Sequence, residues 1–227
     1  VISRDVGLFT PEKLAQFDAV FFYTTEEVPI PPAGRDALIE YVRRGGGFAG
    51  SHCAADTLYG CPEYGAMLGA YLDVHPWHQE VNVRVEDAGA PMTAHLGDAF
   101  RITDEIYQFQ PPYSRERLHV LLSLDTASVS LENPDVHRAD GDFALAWARR
   151  EGQGRVFYTA LGHREELWKD ERFRKLLEGG ILWAAGRNAW QDEPQPHAES
   201  DLVTVPSDAP RPECPPGFRV QLLAQPP

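Results

Sequence analysis

Histidines placed where strands run out are the residues of this chain whose type and spacing could do chemistry near neutral pH. In Gly45-Gly46-Gly47-Phe48-Ala49-Gly50-Ser51-His52-Cys53-Ala54-Ala55-Asp56 a short apolar strand passes through small residues into a sharp turn. This is the layout of a nucleophile elbow, where small neighbours allow a strained backbone. His52 holds the apex, as an acid–base group or a metal ligand; Cys53, one residue later, is the alternative nucleophile; the plain alternative is a glycine-rich turn with a structural histidine. His163 follows the apolar run Val156-Phe157-Tyr158-Thr159-Ala160 and a glycine, which aims it into the cleft beyond a strand end. His75 and His78 lie three residues apart in Asp73-Val74-His75-Pro76-Trp77-His78-Gln79. They could share a metal or line a pocket, although on a loop that spacing is not diagnostic. Trp77 offers a flat face to a sugar or fills the core. Asp104-Glu105-Ile106-Tyr107 sets adjacent carboxylates in an apolar stretch, and Glu105 there suits a general acid or base, a metal ligand or a surface turn. His95, His119, His137 and His197 have no such context and read as solvated or capping residues.

Several chemistries lack their motifs. No Gly-x-Gly-x-x-Gly follows a strand, which argues against a nucleotide cofactor, and no Gly-x-x-x-x-Gly-Lys-Ser/Thr loop occurs. Gly-x-Ser-x-Gly is missing too. Three cysteines, Cys53, Cys61 and Cys214, make no disulfide framework and contain no Cys-x-x-Cys pair.

The elements that must position these residues alternate. Thr10-Pro11-Glu12 starts a helix with a cap, a proline and an acid at the dipole's positive end. A strand begins at Val20. A second helix starts near Pro31-Pro32, carries Leu38, Ile39, Tyr41 and Val42 on one face, and stops at Gly45-Gly46-Gly47. Phe48 to Gly50 is a strand, and Tyr64 to Leu72 a helix. Val81, Val83 and Val85 alternate with polar residues as a half-wet strand. Further strands are expected at Leu118 to Leu124, Phe143 to Ala148 and Arg155 to Ala160. A last helix runs from about Asp170 to Trp183, with Phe173, Leu176, Leu177 and Ile181 inward and Gly186 ending it. The pattern predicts an α/β fold with a mostly parallel sheet carrying an antiparallel insertion or edge.

Composition narrows the class. The 227 residues are 43% apolar, which excludes wholesale disorder. A net charge of −13 repels phosphate backbones and anionic membrane surfaces, so nucleic acid is not an expected partner. No apolar run approaches the ~18 residues of a membrane span, so membrane insertion is not expected either. Nine of the 19 prolines fall between Pro194 and Pro227, so residues 1–188 read as the domain and 189–227 as a Pro-rich linker or tail. Pro215 to Leu223 regains strand-like alternation, as the entry to a further domain would. The chain opens at Val1 with no charged-then-apolar leader, which predicts a removed targeting segment or a longer protein. Location is open on these grounds, with a periplasmic or secreted one favoured over a cytoplasmic one.

Leu14-Ala15-Gln16-Phe17-Asp18-Ala19-Val20, Gly45 to Asp56, Gly69 to Gln79, Asp104 to Tyr107 and Gly154 to His163, ending at Trp183-Ala184-Ala185-Gly186, together resemble the ThuA-like (trehalose utilisation) family. The resemblance covers most of residues 10–187 in order. It implies a class I glutamine-amidotransferase-like fold, a flavodoxin-like three-layer sandwich. The amidotransferases place a catalytic cysteine at the elbow; His52 stands there in this chain, so amidotransferase chemistry is not expected. The family is linked to the use of trehalose and related disaccharides, often beside sugar oxidoreductases that make 3-keto sugars.

Two departures accompany the resemblance. Relatives usually begin with a further strand and helix, so this chain is expected to lack them. Ala90-Pro91 stands where His-Pro is expected. The tail lies outside the resemblance and resembles the entry to the propeller of longer family proteins.

The resulting expectation is a carbohydrate-processing enzyme acting on a disaccharide or keto-sugar derivative: a hydrolase, lyase or isomerase. His52, Glu105 and His163 would be catalytic. Asp56, Tyr59, Trp77, Gln79 and Tyr107 would bind substrate, Trp77 and Tyr59 by stacking. His52, His75 and His163 would hold a divalent metal (zinc, manganese or nickel), as the resemblance also implies. The alternatives are a non-catalytic sugar-binding or scaffolding domain, and a cysteine hydrolase using Cys53 with His163. An oligomer is compatible with all three.

Overall fold

The computed structural model describes residues 2–24 and 27–195. Among the described residues four α-helices form, two of them with side-chain caps. Helix α1 (Pro11–Leu14) is capped by the Thr10 hydroxyl, which accepts from the Lys13 amide. Helix α2 (Pro32–Arg43) buries Leu38, Ile39 and Val42. Helix α3 (Pro62–Leu68), closed by Gly69, ends four residues before the expected Leu72, because Tyr71 and Leu72 already belong to a strand. Helix α4 (Glu171–Ala184) is capped by the Asp170 carboxylate and buries Phe173, Leu176 and Leu177, with Ile181 only partly covered.

Among the described residues seven strands form one sheet: β1 (Ala19–Phe22), β2 (Gly47–Ser51), β3 (Tyr71–Val85), β4 (Ala99–Gln110), β5 (His119–Leu124), β6 (Ala144–Glu151) and β7 (Gly154–Thr159), in the order β1-β2-β7-β6-β5-β3-β4. The expected mostly parallel sheet is corrected. Only β1–β2 and β2–β7 pair parallel, while β7–β6, β6–β5, β5–β3 and β3–β4 pair antiparallel. The reason lies in the connections. A parallel pair needs a crossover of a dozen or more residues, but β6 and β7 are joined by Gly152-Gln153 alone.

The parallel part has three layers. Successive strand residues point to opposite faces. Phe48 of β2 packs its ring edge on Phe22 and on Tyr64 of α3, whereas Phe157 of β7, paired with Ala49, lies under Gly180 of α4. Helices α3 and α4 therefore cover opposite faces.

The longest pairing, β3 with β4, replaces an expected helix end, loop and turn. Its residues 75 and 78–80 are polar and exposed, and register shifts between Leu72 and Val74 and between Val74 and Trp77 break the alternation. Beyond α4, Trp190 packs on Trp183 and on His119, and the Gln195 amide donates to the Leu118 carbonyl. Residues 189–195 thus pack on the domain. His197, Cys214 and the alternating stretch 215–223 lie outside the described residues.

Phe48 is fully buried between two rings. Phe48→Ala is expected to cost about 3–5 kcal/mol, read as a fall in the urea midpoint at constant slope.

Candidate active site

His52 is built into a strained turn. It follows β2 and opens a 3-10 turn, His52–Ala55, with φ of +49°. A non-glycine residue in this region is uncommon and marks a place where surroundings over-determine the backbone. Those surroundings are visible. The Tyr158 hydroxyl donates to the His52 carbonyl at 2.7 Å, and the Tyr64 hydroxyl to the Ala54 carbonyl at 2.6 Å. Gly50 lets the turn close, since a Cβ there would stand 2.8 Å from the Ala54 methyl.

The imidazole of His52 is held just as firmly. Nδ1 lies 2.8 Å from the Ala160 carbonyl oxygen, which can only accept, so Nδ1 carries the proton. Nε2 then presents a lone pair, to which the Tyr107 hydroxyl donates at 2.9 Å. Burial lowers the His52 pKa, against the opposing pull of the Ala160 carbonyl, Asp104 and Glu105. Burial, and next the Glu105 charge, pushes the Tyr107 hydroxyl upward, so it remains a proton donor.

Glu105 and His163 complete the cluster. Glu105 Oε2 is 3.3 Å from His52 Nε2 and 3.5 Å from His163 Nδ1, and the two nitrogens are 3.3 Å apart. These three form a potential cation-holding group. Tetrahedral zinc with ligand bonds of about 2.0–2.2 Å separates its ligand atoms by about 3.3–3.6 Å. The three separations fall in that range without any rearrangement. The His52 Nδ1–H to carbonyl bond is also the outer contact that a metal-binding imidazole needs. His75, half exposed, reaches the other Glu105 oxygen at 3.6 Å. His78 packs its ring edge against His163. The cluster is thus buried at His52 and Tyr107 and open at His75, His78 and His163.

The remaining expected site residues divide. Asp56 accepts from the Tyr59 hydroxyl at 2.8 Å, and both act electrostatically on Tyr107. Tyr59 is exposed and stacks on Tyr71, so one ring face is available. Trp77 is not: it is buried, packs edge-on with Phe143, and donates from Nε1 to the Ser130 carbonyl. Its expected stacking on sugar is replaced by a core role, because the register shift ahead of it turns the indole inward. Gln79 pairs with Asp104 rather than Glu105, and its amide approaches the Ser128 carbonyl at 3.4 Å; no contact joins it to the cluster among the described residues. Cys53 is partly buried, and burial pushes its thiol up to about 11, leaving little thiolate. His119, expected in solvent, is buried between Asp87 and the Glu193 carbonyl. His95 bonds the Arg172 carbonyl and His137 the Asp73 carboxylate.

A strained histidine at the end of a parallel strand, with a carboxylate delivered by an antiparallel extension, defines an α/β protein with a His–Glu–His site and no elbow cysteine. The family model for trehalose utilisation, ThuA, matches residues 1–184, and the chain belongs to that family. A solved structure from Bacteroides uniformis described as ThuA-like is 29% identical, covers 81% of this chain and 75% of its own, and superposes with a TM-score of 0.64. A second ThuA-like structure, from Parabacteroides merdae, is 20% identical, covers 80% and 75%, and has a TM-score of 0.62. A cytoplasmic protein of Salmonella typhimurium shares the fold at 12% identity, covering 81% and 76%, with a TM-score of 0.54. No curated protein matches the chain.

Gly162, before His163, has φ of +129°, and a Cβ there would stand 2.7 Å from Ser51 Oγ. Gly162→Ala is expected to destabilise the fold by about 1–3 kcal/mol in urea denaturation. The lowered pKa of His52 predicts a pH effect with a definite sign. The unfolded chain protonates this residue near pH 6.5, whereas the fold resists the proton. Stability is therefore lost as pH falls through about 6.5. Between pH 7 and 5 the melting temperature of His52→Gln is expected to fall less steeply than that of the native chain.

Proposed function

We propose that this protein is a carbohydrate-processing enzyme acting on a disaccharide or keto-sugar derivative through the His52–Glu105–His163 cluster. Membership of the trehalose utilisation family supports the carbohydrate class. The observation that carries the chemistry is the convergence of Nε2, Oε2 and Nδ1 at 3.3–3.5 Å beside a neutral tyrosine hydroxyl. His52, kept neutral by burial with its lone pair on Nε2, accepts a proton from a sugar hydroxyl or an acidic C–H beside a keto group. Tyr107, held protonated 2.9 Å away, can turn its hydroxyl from Nε2 to hydrogen-bond the substrate oxygen on which negative charge develops. Glu105 steadies positive charge on the imidazoles, and His163 at the open side meets the substrate. Asp56 and Tyr59 offer a hydrogen-bond partner and a ring face to a second sugar unit.

The same three donors suit a divalent cation of the zinc class, with His75 beside them. Such an ion would polarise a sugar carbonyl or acidify water. The high thiol pKa of Cys53 speaks against a cysteine hydrolase.

The test is a turnover screen of disaccharides and their 3-keto forms, with and without added zinc, manganese or nickel. Turnover by the native chain is expected, falling about 10²–10⁴-fold in His52→Ala. Titration with zinc against a chelator should give one ion per chain, and His52→Ala, Glu105→Gln and His163→Ala should each weaken it more than about tenfold. Saturable sugar binding without turnover, unaffected by these substitutions, would make the protein a binding domain instead.

A further inference from the structure

We infer that Asp104, which touches none of the imidazoles, is the positioning residue that presents His163 to the cluster. Its charge also acts on His52. The inference rests on the His52–Glu105–His163 reading of the site and goes one step behind it. Asp104 is fully buried, yet it makes no ion pair among the described residues. Its two oxygens take two backbone amides: Oδ2 accepts from Gly162 N–H at 2.7 Å and Oδ1 from Arg164 N–H at 3.0 Å. The two amides flank His163.

Among the described residues only Asp104 holds the amides on both sides of His163, whose ring otherwise meets His52 at 3.3 Å, Glu105 at 3.5 Å and the edge of His78. The His163 side chain is 43% exposed, so packing leaves it much rotational freedom. Its loop has left strand β7, and neither flanking amide has a backbone partner. The loop is fixed from its other side by the Gly162 carbonyl, which accepts from the Tyr23 hydroxyl at 3.2 Å and from Trp168 Nε1 at 3.0 Å. Asp104 thus closes a clamp in which every polar backbone atom of Gly162 is engaged. An ionised acceptor on two amides is stronger and more directional than a neutral one.

The placement follows from strand geometry. Asp104 and Glu105 are neighbours on β4 and point to opposite sides. One strand therefore delivers the carboxylate that touches the imidazoles and the carboxylate that orients the loop bearing one of them. A register slip of β4 would exchange them and abolish both.

The experiment uses Asp104→Asn, which keeps the shape but replaces one acceptor by a donor facing an N–H. In the native chain, amide exchange at Gly162 and Arg164 should be slow, and ring-to-ring nuclear Overhauser contacts should join His163 to His52. In Asp104→Asn both amides should exchange at least about tenfold faster and those contacts should vanish, while the contacts between His52 and Tyr107 persist. Zinc affinity should fall about 10–100-fold in Asp104→Asn, but less than about twofold when Asp104→Asn is added to His163→Ala. A general structural defect would instead weaken zinc equally in both backgrounds, and that result overturns the inference. So does an unchanged His163 signal in Asp104→Asn, or rapid exchange of the two amides in the native chain, which is decisive even if the variant does not fold. If the native chain binds no zinc, the metal reading fails on its own, and the ring contacts and amide exchange still decide the role of Asp104.

Discussion

The hydrogen bond from His52 Nδ1–H to the Ala160 carbonyl is the constraint on which the site depends. It ties the end of β2 to the end of β7, the two parallel strands at the centre of the α/β layers. It also decides the tautomer, and so decides that Nε2, not Nδ1, faces Tyr107 and Glu105. The strained φ of His52 is the cost of this arrangement, and the tyrosine hydroxyls on the His52 and Ala54 carbonyls offset it. Tyr64 and Tyr158 are fully buried, so their hydroxyls, bonded to backbone oxygens, serve as rigid props.

A second constraint comes from outside the parallel strands. The β3–β4 pairing begins at the far edge of the strand order, yet its Glu105 and Tyr107 meet His52. The register shifts near Val74 and Trp77 mark where β3 departs from regular pairing. They also account for Trp77 turning into the core while His75 and His78 stay on the open side. Polar residues in this extension are therefore not a sign of irregular chain; Glu105, His75 and His78 among them gather around His52 and His163.

Helices α1, α2 and α4 were legible because each carries its own start signal, as Thr10-Pro11-Glu12 and the Asp170 cap show. Helix α3 was placed with both ends displaced, its last expected residues belonging to β3. The central strands were legible as short apolar runs between glycines. Strand β4 was not. Asp104, Glu105 and Gln108 interrupt its apolar residues, and their pairing partners lie about 30 residues away on β3, where no local pattern points to them. The antiparallel majority of the sheet was missed for the same reason: strand direction is set by how the chain returns, and the two-residue turn at Gly152 is a weak signal among many glycines.

For the site, His52 and His163 stood out by residue type and strand-end position, and Glu105 by standing beside Asp104 in an apolar stretch; all three are local features. What the tertiary structure alone decided is which of the other candidates join them. Trp77 and Gln79 sit within two residues of His78, yet one is core and the other pairs away from the cluster. Asp104 differs from Glu105 by a single position, and the pleat sends it to the backbone of the His163 loop instead of to the imidazoles. Chemical type is written in the sequence. The side to which a strand turns each side chain depends on register, which only long-range pairing and burial establish.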